Sequence, residues 1–339
     1  MKNYLKKLFP TALALSLMSS TLSQDSISAL GEFDLDSEII QTPINEYRAD
    51  IAPGVQKKHY SFLNKEGKKI ESFVVDIDVH NPNVSIEAGT PDDKDGFGLQ
   101  PVRAQADAAS EENHQVVAAV NADFYNMATG VPHGVVYKDG RAIKGTSGRT
   151  WNFFGIKKDG SAVIGNPSEY ESIKTDLQEA LGGNAILVRN SQIYQTPQTG
   201  QDKEPRTAVG IKEDGDVFFV VIDGRQEPYS AGISMKDLAQ IMIDHGAVHA
   251  LNLDGGGSST YTTRKLGEDV LEVDNQPSDR NERSVANSWL VVTKEPSDHV
   301  FHTAHIEPYD KSFTSGSTIN FHAKGMDKSK ASAPLPSSG

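Results

Sequence analysis

The chain has 339 residues, with 33 Lys or Arg, 46 Asp or Glu, a formal net charge of -13 and no cysteine. This length and composition are typical of a globular protein with one large domain. The negative charge disfavours a nucleic-acid binder, because phosphate backbones are bound by basic surfaces. The lack of cysteine excludes disulfide bonds, thiolate metal sites and a cysteine nucleophile.

The N-terminus has the pattern of a secretory signal peptide. Lysines precede a short apolar run from Leu8 to Met18, and small polar residues follow. We therefore predict a signal peptide over residues 1–29 and a secreted protein or one displayed on a bacterial surface; an uncleaved N-terminal anchor is the alternative. Residues 30–55 are polar and acidic with two prolines, which predicts a linker.

The main domain, predicted over residues 56–294, opens with β-structure. Phe73, Val75 and Ile77 alternate with more polar neighbours, as in a strand with one buried face. Asp-Gly pairs, which favour tight hairpin turns, lie between apolar runs at 139–140, 159–160 and 214–215. We expect an α+β fold, with a mixed, largely antiparallel β-sheet core and packed helices.

Helical patterns occur over about 99–113, 169–181 and 234–245. The third is the best defined, because Ser234 and Asp237 have capping spacing and Gly246 can end the helix. The apolar runs on either side of it predict one βαβ unit with parallel strands. Asp223 and Asp254, which end these runs, should then emerge at the same sheet edge. Asp123 ends a third apolar run.

The segment after Asp254 is rich in residues that can bind an anion. Consecutive glycines can present backbone N–H groups to a ligand, although a glycine bulge without a ligand fits the same pattern. Arginine is a natural clamp for phosphate, and it also forms ordinary surface ion pairs. The candidates for phosphate binding are Gly255, Gly256, Gly257, Ser258, Ser259, Arg206, Arg225 and Arg283.

Six strings of this sequence together resemble the phosphodiester glycosidase family. They are NADFYN at 121–126, TGVPHGVV at 129–136, RTAVGI at 206–211, IDGR at 222–225, LNLDGGGSST at 251–260 and RSVANS at 283–288. The resemblance covers about residues 56–294. It implies hydrolysis of a sugar-1-phosphodiester, of the N-acetylglucosamine type, at the anomeric carbon, leaving free sugar and a phosphomonoester.

This chemistry suggests roles for the polar candidates. Glycoside hydrolysis commonly uses two carboxyl groups. We take Asp254 as the principal carboxylate and Glu227 or Asp223 as the second. Asn121 and Asn252 would bind sugar hydroxyl groups or orient other groups; for Asn252, capping the turn is an equal alternative.

A cofactor is not required by these patterns, but an acidic rim suits a divalent cation, calcium or magnesium. Asp123 and Asp223 are the candidate ligands, although no spacing matches a known cation-binding loop such as the EF-hand. Asp123 stands where other family members can have glycine, so we expect it to support the site or bind metal. His133 lies in a loop and is expected to be structural or exposed.

The expected substrate is a sugar-phosphate polymer or other glycan of the cell wall, capsule or secreted polysaccharide. Two alternatives remain: a wall-polymer binding module without turnover, and a phosphodiesterase that cleaves the P–O bond. Residues 295–339 resemble the first strands of an Ig-like module but stop too soon to complete its sandwich. We therefore predict a truncated, poorly ordered β segment there.

Overall fold

The computed structural model describes residues 33–146, 151–194, 202–311 and 313–337; the predicted signal peptide lies outside these ranges. Its α-helices are α1 (Val102–Ala109), α2 (Pro167–Ile173) and α3 (Met235–Asp244). None of the helices in these ranges is long and apolar enough to cross a membrane.

Most of the described chain is β-strand. In chain order the strands are β1 (Ile40–Ala52), β2 (Val55–Asn64), β3 (Lys69–Ile77), β4 (Val84–Gly89), β5 (Gln100–Pro101), β6 (Gln115–Asn121), β7 (Val136–Lys138), β8 (Arg141–Lys144), β9 (Asn152–Lys157), β10 (Ala162–Gly165), β11 (Leu177–Gly183), β12 (Ile186–Arg189), β13 (Gln192–Ile193), β14 (Arg206–Lys212), β15 (Val217–Ile222), β16 (Ala247–Asn252), β17 (Tyr261–Arg264), β18 (Leu271–Val273), β19 (Ser284–Val285), β20 (Ser288–Thr293), β21 (Thr303–Glu307) and β22 (His322–Met326).

These strands form three main sheets with antiparallel neighbours. The largest has the order β1-β2-β3-β15-β14-β16-β12-β13, and two five-stranded sheets have the orders β10-β9-β11-β7-β8 and β18-β17-β6-β20-β4. Two small sheets, β19-β5 and β21-β22, complete the set in the described ranges. The largely antiparallel core predicted from the sequence is therefore confirmed.

The three main sheets share one hydrophobic core. Strand β15 is buried on both faces: Val217, Phe219 and Val221 point into this shared core, and the residues between them lie under α3. Helix α1 packs on the sheet that contains β6, and α2 packs on the sheet that contains β9. Burial of both faces explains why the run at 217–222 is continuously apolar.

The turn predictions agree with the structure. Each Asp-Gly pair joins two adjacent antiparallel strands, β7 to β8, β9 to β10 and β14 to β15. The glycines of these turns, Gly140, Gly160 and Gly215, all have positive φ angles, which an Asp-Gly turn accommodates at little steric cost.

The third predicted helix is also confirmed. Ser234 caps α3, and its Oγ accepts a hydrogen bond from the Asp237 N–H at 3.1 Å. Gly246 follows the helix with a φ of 90°. The first predicted helix is present as the shorter α1.

The second predicted helix was only partly correct. Helix α2 ends at Ile173, and residues 177–183, predicted in part as its continuation, form strand β11. The strand is stabilised by pairing with β9 and β7, which the local helical pattern could not reveal.

The βαβ prediction was correct in direction but not in adjacency. Strands β15 and β16 are both antiparallel to β14, which lies between them, so they run parallel to each other without pairing. Their C-terminal ends therefore reach one edge of the sheet, as predicted for Asp223 and Asp254.

Both ends of the described chain differ from expectation. Most of the predicted linker forms β1, a 13-residue strand that pairs along β2. The C-terminal segment forms the β21-β22 hairpin, and it is packed rather than poorly ordered: Met326 joins the main core, and the Ser329 carbonyl accepts a hydrogen bond from the buried Arg264 at 3.2 Å. The likeness of this segment to an Ig-like module stays a prediction.

Candidate active site

Two aspartates from different sheets meet at the ends of their strands. Asp254 follows β16 by two residues, and Asp123 follows β6 by two. The Asp254 N–H donates to the Ala122 carbonyl at 2.8 Å, and Asn121 Nδ2 donates to the Asp254 carbonyl at 2.6 Å. These backbone links hold the two carboxyl groups in one site, where the charge of Asp254 affects the pKa of Asp123.

Asp254 is half-buried and directly precedes the glycine segment, Gly255–Gly257. Burial raises the pKa of its carboxyl group to about 6, opposed by hydrogen bonds from Ser258 and the Gly255 N–H and by the charge of Arg283. The Gly255 bond to Asp254 Oδ1 is 3.0 Å long. Asp254 is therefore mainly ionised at neutral pH.

Asp123 is more deeply buried, with 1% of its surface exposed. Its Oδ2 accepts a hydrogen bond from the Gly134 N–H at 2.7 Å, and its Oδ1 has no partner among the described residues. Burial raises the pKa of this carboxyl group to about 8, and the negative charge of Asp254 also raises it. Asp123 is therefore mainly protonated at neutral pH, with one oxygen free to donate or accept a proton.

A cluster of donors lies beside Asp254. Arg283 Nη1 donates to Ser258 Oγ at 3.3 Å, and the Tyr125 hydroxyl, which donates to the Ser284 carbonyl at 3.1 Å, lies close to both side chains. Asp279 holds the other side of the guanidinium, accepting from Arg283 Nε at 2.8 Å. The arrangement places the positive charge of Arg283 beside Asp254, where a phosphate would lie.

The glycine segment allows other side chains to pack closely on its backbone, and it does not form an open anion nest. A Cβ atom at Gly257 would lie 2.2 Å from Arg283 Nη2, so only glycine allows this approach. Several N–H groups of the predicted nest are already used: Gly256 donates to the Pro205 carbonyl, and Ser258 and Ser259 close a short 3₁₀ turn.

Two further predicted arginines, Arg225 and Arg206, lie next to the glycine segment. A Cβ atom at Gly256 would be 3.2 Å from Arg225 Nη1, so the Arg225 guanidinium lies over the segment. Arg225 also pairs with Glu204. Arg206 donates from Nε to the Ile233 carbonyl at 3.2 Å; burial lowers its pKa, and the charge of neighbouring Arg225 adds to that lowering.

Asp223 needs correction as a catalytic or metal-binding candidate. It is 1% exposed, and both carboxylate oxygens accept hydrogen bonds, from Asn275 Nδ2 and the Gln276 N–H at 2.7 Å and from the Tyr229 hydroxyl at 3.0 Å. Burial raises its pKa to about 6 despite these donors. Asp223 therefore anchors the loop at 275–276, and Asn275 in turn binds the Ser259 carbonyl at 3.1 Å.

Glu227 also needs correction as the second carboxylate. Its side chain is 54% exposed and forms an ion pair with Lys68, in the turn between β2 and β3. The residue follows Asp223 in sequence, but its loop carries the side chain to this surface pair instead of to Asp254.

The two predicted asparagines have different environments. Asn121 is fully buried, and its Oδ1 accepts from Thr207 Oγ1 at 2.9 Å and from the Thr260 N–H at 3.1 Å. It therefore holds the strand ends together and is not available to a sugar. Asn252 Oδ1 is buried without a hydrogen-bond partner among the described residues, so it remains a candidate for orienting a ligand.

Sequence reasoning missed two contributors to the site. Asn287 Oδ1 accepts from the Asp123 N–H at 2.9 Å, and its Nδ2 is buried without a partner in the described part of the chain. Tyr125 joins Ser258 and Arg283. Both residues lie within the NADFYN and RSVANS strings, which were the available signal.

Comparisons with known proteins relate this chain to one family. A family model described as phosphodiester glycosidase matches residues 114–292. N-acetylglucosamine-1-phosphodiester alpha-N-acetylglucosaminidase of Bos taurus is 34% identical over 161 residues, which are 42% of this chain and 30% of the relative. The Mus musculus protein of that name is 33% identical over 180 residues, 47% of this chain and 34% of the relative. The chain thus spans about a third of the length of these relatives.

A solved structure shares the fold. The catalytic domain of the zebrafish protein of that name, auto-inhibited by its pro-peptide, has a TM-score of 0.57 at 20% identity; the match covers 73% of this chain and 88% of the zebrafish chain. The arrangement of sheets described above is therefore one that this solved domain shares.

Proposed function

This chain belongs to the phosphodiester glycosidase family, and we propose that it hydrolyses a sugar-1-phosphodiester of the N-acetylglucosamine type. The bond broken is that between the anomeric carbon and the bridging phosphate oxygen, so free sugar and a phosphomonoester are released. The names of the bovine and mouse relatives support this choice of sugar.

The observation that carries the proposal is the Asp123–Asp254 pair beside Arg283. The pKa values of the two carboxyl groups lie on opposite sides of neutral pH, about 8 and about 6. Separated proton affinities are what acid and base partners in glycoside hydrolysis need. Asp123 thus replaces Glu227 and Asp223 as our proposed second carboxyl group.

At the phosphate end, the Arg283 guanidinium, held next to Ser258 and Tyr125, would bind the non-bridging oxygens and stabilise the negative charge that grows on the leaving group. Arg225, which lies over the glycine segment, can add a second positive charge. A phosphomonoester leaves readily, so the Asp123 proton needs only to assist departure of the bridging oxygen.

At the sugar end, the ionised Asp254 would act on the anomeric carbon. It either takes a proton from the attacking water or attacks the carbon itself, and the configuration of the newly released sugar distinguishes these routes. Asn252 Oδ1 and Asn287 Nδ2, both buried and without partners among the described residues, would then orient the substrate.

We further propose export and a sugar-phosphate polymer of the cell wall, capsule or secreted polysaccharide as the natural substrate. The signal-peptide pattern and the absence of cysteine support this proposal. Release of N-acetylglucosamine from isolated wall polymer by the exported protein would test it, with release from a phosphate-free glycan as the comparison.

A divalent cation is the alternative to Arg283 as the group that neutralises the phosphate. Asp223 uses both oxygens for hydrogen bonds, and no group of three or more His, Cys, Asp or Glu side chains in the described ranges is arranged to hold a metal. We therefore propose turnover in which Arg283 neutralises the phosphate. Activity that disappears with chelator and returns with calcium or magnesium would contradict that route.

The function is tested by product analysis on UDP-N-acetylglucosamine in ¹⁸O-labelled water. We expect free N-acetylglucosamine that carries the label, unlabelled uridine diphosphate, and about a thousandfold lower kcat in Asp254→Asn with binding little changed. Asp107→Asn, which alters an exposed carboxylate on α1, should retain full activity.

Each other outcome identifies a rival function. Label in the phosphate would show P–O cleavage, and hence a phosphodiesterase. Binding without turnover, on several sugar-1-phosphodiesters and equally in Asp254→Asn, would identify a binding module.

A further inference from the structure

Three aromatic side chains lie together beside Asp123. The rings of His133 and Trp151 are stacked, with centroids 5.0 Å apart and planes 20° apart, and the Phe124 ring lies 5.5 Å from Trp151. All three side chains are only partly buried. A group of part-exposed rings next to a carboxyl group offers an apolar surface to a bound ligand.

Two members of this aromatic cluster (Phe124, His133 and Trp151) are linked to the proposed acid through the backbone. Phe124 follows Asp123 directly, and the His133 N–H donates to the Phe124 carbonyl at 2.8 Å. The next residue, Gly134, donates its N–H to Asp123 Oδ2. The positions of Phe124 and His133 relative to the reacting carboxyl group are therefore set by backbone hydrogen bonds, and Trp151 packs on both rings.

The cluster and the phosphate donors lie on different sides of the same short segment. Tyr125 contacts Ser258 and Arg283, whereas its neighbour Phe124 contacts Trp151. A substrate with its phosphate at Arg283 and its anomeric carbon at the two carboxyl groups would extend its other end towards the rings.

We propose that Phe124 and Trp151 form a subsite that stacks against the C–H face of the substrate's pyranose ring. This inference rests on the proposed function, since that function places the anomeric carbon between Asp123 and Asp254. The subsite holds the sugar by apolar contact and leaves its polar substituents for hydrogen bonds. The His133 ring is stacked on the Trp151 ring and positions it.

Fluorescence tests the subsite without turnover. The chain has two tryptophans, and Trp289 is fully buried whereas Trp151 is partly exposed. Titration of the full chain with free N-acetylglucosamine should change the emission saturably, and Trp151→Phe should abolish that change. Inorganic phosphate should change the emission little.

Inhibition tests the same subsite in the working enzyme. In Trp151→Ala the Ki of N-acetylglucosamine should rise about tenfold, while the Ki of inorganic phosphate stays within about twofold. Trp151→Phe keeps a ring and should show a smaller rise. Phe321→Ala, which removes a 64% exposed ring in the C-terminal segment, should change neither value.

The outcomes separate this inference from the function. Hydrolysis of the phosphodiester with an unchanged Ki of N-acetylglucosamine in Trp151→Ala would overturn the subsite and leave the function standing. Emission that responds to uridine diphosphate but not to the sugar would also overturn it, because the rings would then bind the leaving group. A saturable response to the sugar without hydrolysis would uphold the subsite and contradict the function.

Discussion

Asp123 and Asp254 have the same side chain, but the burial, hydrogen bonds and charges around their carboxyl groups differ. Asp123 accepts from the Gly134 and Phe124 N–H groups but has little contact with water, so burial dominates and raises its pKa to about 8. Asp254 keeps the Ser258 and Gly255 hydrogen bonds and the charge of Arg283, so burial raises its pKa only to about 6. The environment therefore assigns the protonated and ionised roles.

These pKa values predict a bell-shaped pH dependence of kcat/KM. Activity should rise as Asp254 loses its proton near pH 6 and fall as Asp123 loses its proton near pH 8. The two midpoints belong to the coupled pair, because the charge on Asp254 raises the pKa of Asp123. Measurement of kcat/KM from pH 4.5 to 10 tests this expectation.

The variant Asp123→Asn assigns the alkaline limb. Asn does not titrate, so the variant should lose that limb and about 10²-fold in kcat/KM at pH 7. An alkaline limb that survives in Asp123→Asn would assign it to another group. The exposed substitution Asp107→Asn should keep both limbs.

At the element scale, strand β11 supports the site from behind. Its Gly182 packs so closely on Asp123 that an added Cβ would lie 2.5 Å from Oδ2 and 2.6 Å from the Gly134 Cα atom. The close approach of two backbones at 134 and 182 thus forms the wall that buries Asp123. This packing gives the Gly182-Gly183 pair a role other than ending a helix.

We predict that Gly182→Ala displaces Asp123. The new methyl group meets backbone as well as the carboxyl group, so relief requires movement of β11 or of residue 134. We expect a loss of about 1 to 3 kcal/mol in the free energy of unfolding and a fall in kcat larger than the change in KM. Urea unfolding and steady-state kinetics measure the two effects.

A second glycine provides the matched control. Gly96→Ala adds the same methyl group where nothing lies within 4 Å, so stability and kcat should stay near wild type. Equal effects of the two substitutions would show that the Gly182 contact does not position Asp123.

At the scale of the whole molecule, His59 joins segments distant in sequence. Its Nδ1 lies 2.5 Å from Asp310 Oδ2, after β21, and its Nε2 lies 2.8 Å from Glu71 Oε2 in β3. Asn45 of β1 donates to the other oxygen of Asp310. The C-terminal segment is thereby fixed to β1, an edge strand of the largest sheet, and to its neighbour β2.

This contact predicts a stability that falls at alkaline pH. Burial alone lowers the pKa of His59, but Asp310 and Glu71 outweigh it and raise the value from 6.5 to about 9. A folded-state pKa above the unfolded value stabilises the protein fully below pH 6.5, and this contribution is lost as the pH rises through 9. Its size is roughly 3 kcal/mol.

The variant Asp310→Asn isolates this contribution. We expect its unfolding midpoint in urea to be well below that of wild type at pH 6 and much closer to wild type at pH 9.5. A difference that is constant with pH would contradict the role of protonated His59. Glu112→Gln, at an exposed loop position, should show no such trend.

The turns, the best-defined helix and several strands could be predicted from the sequence, because they are set by neighbouring residues. The Asp-Gly pairs specified hairpins because their backbone accepts positive φ, and the capping residues and Gly246 specified α3. The alternation in β3 and the apolar run of β15 specified strands and buried faces. Ordered strings such as LNLDGGGSST indicated the family and led to Asp254 and Arg283.

The way in which these elements pack together depends on contacts between residues distant in sequence, which only the tertiary structure shows. Segment 177–183 became a strand because β9 and β7 supply its hydrogen bonds, and β1 formed because β2 offered an open edge. Asp223 and Glu227 lost their proposed catalytic roles because of residues distant in sequence. Such residues occupy the oxygens of Asp223 with hydrogen bonds and form a surface ion pair with Glu227. Asp123 gained such a role because Gly134 and Gly182 bury it next to Asp254. Proton affinity depends on burial and neighbouring charge, and both are properties of the packed chain.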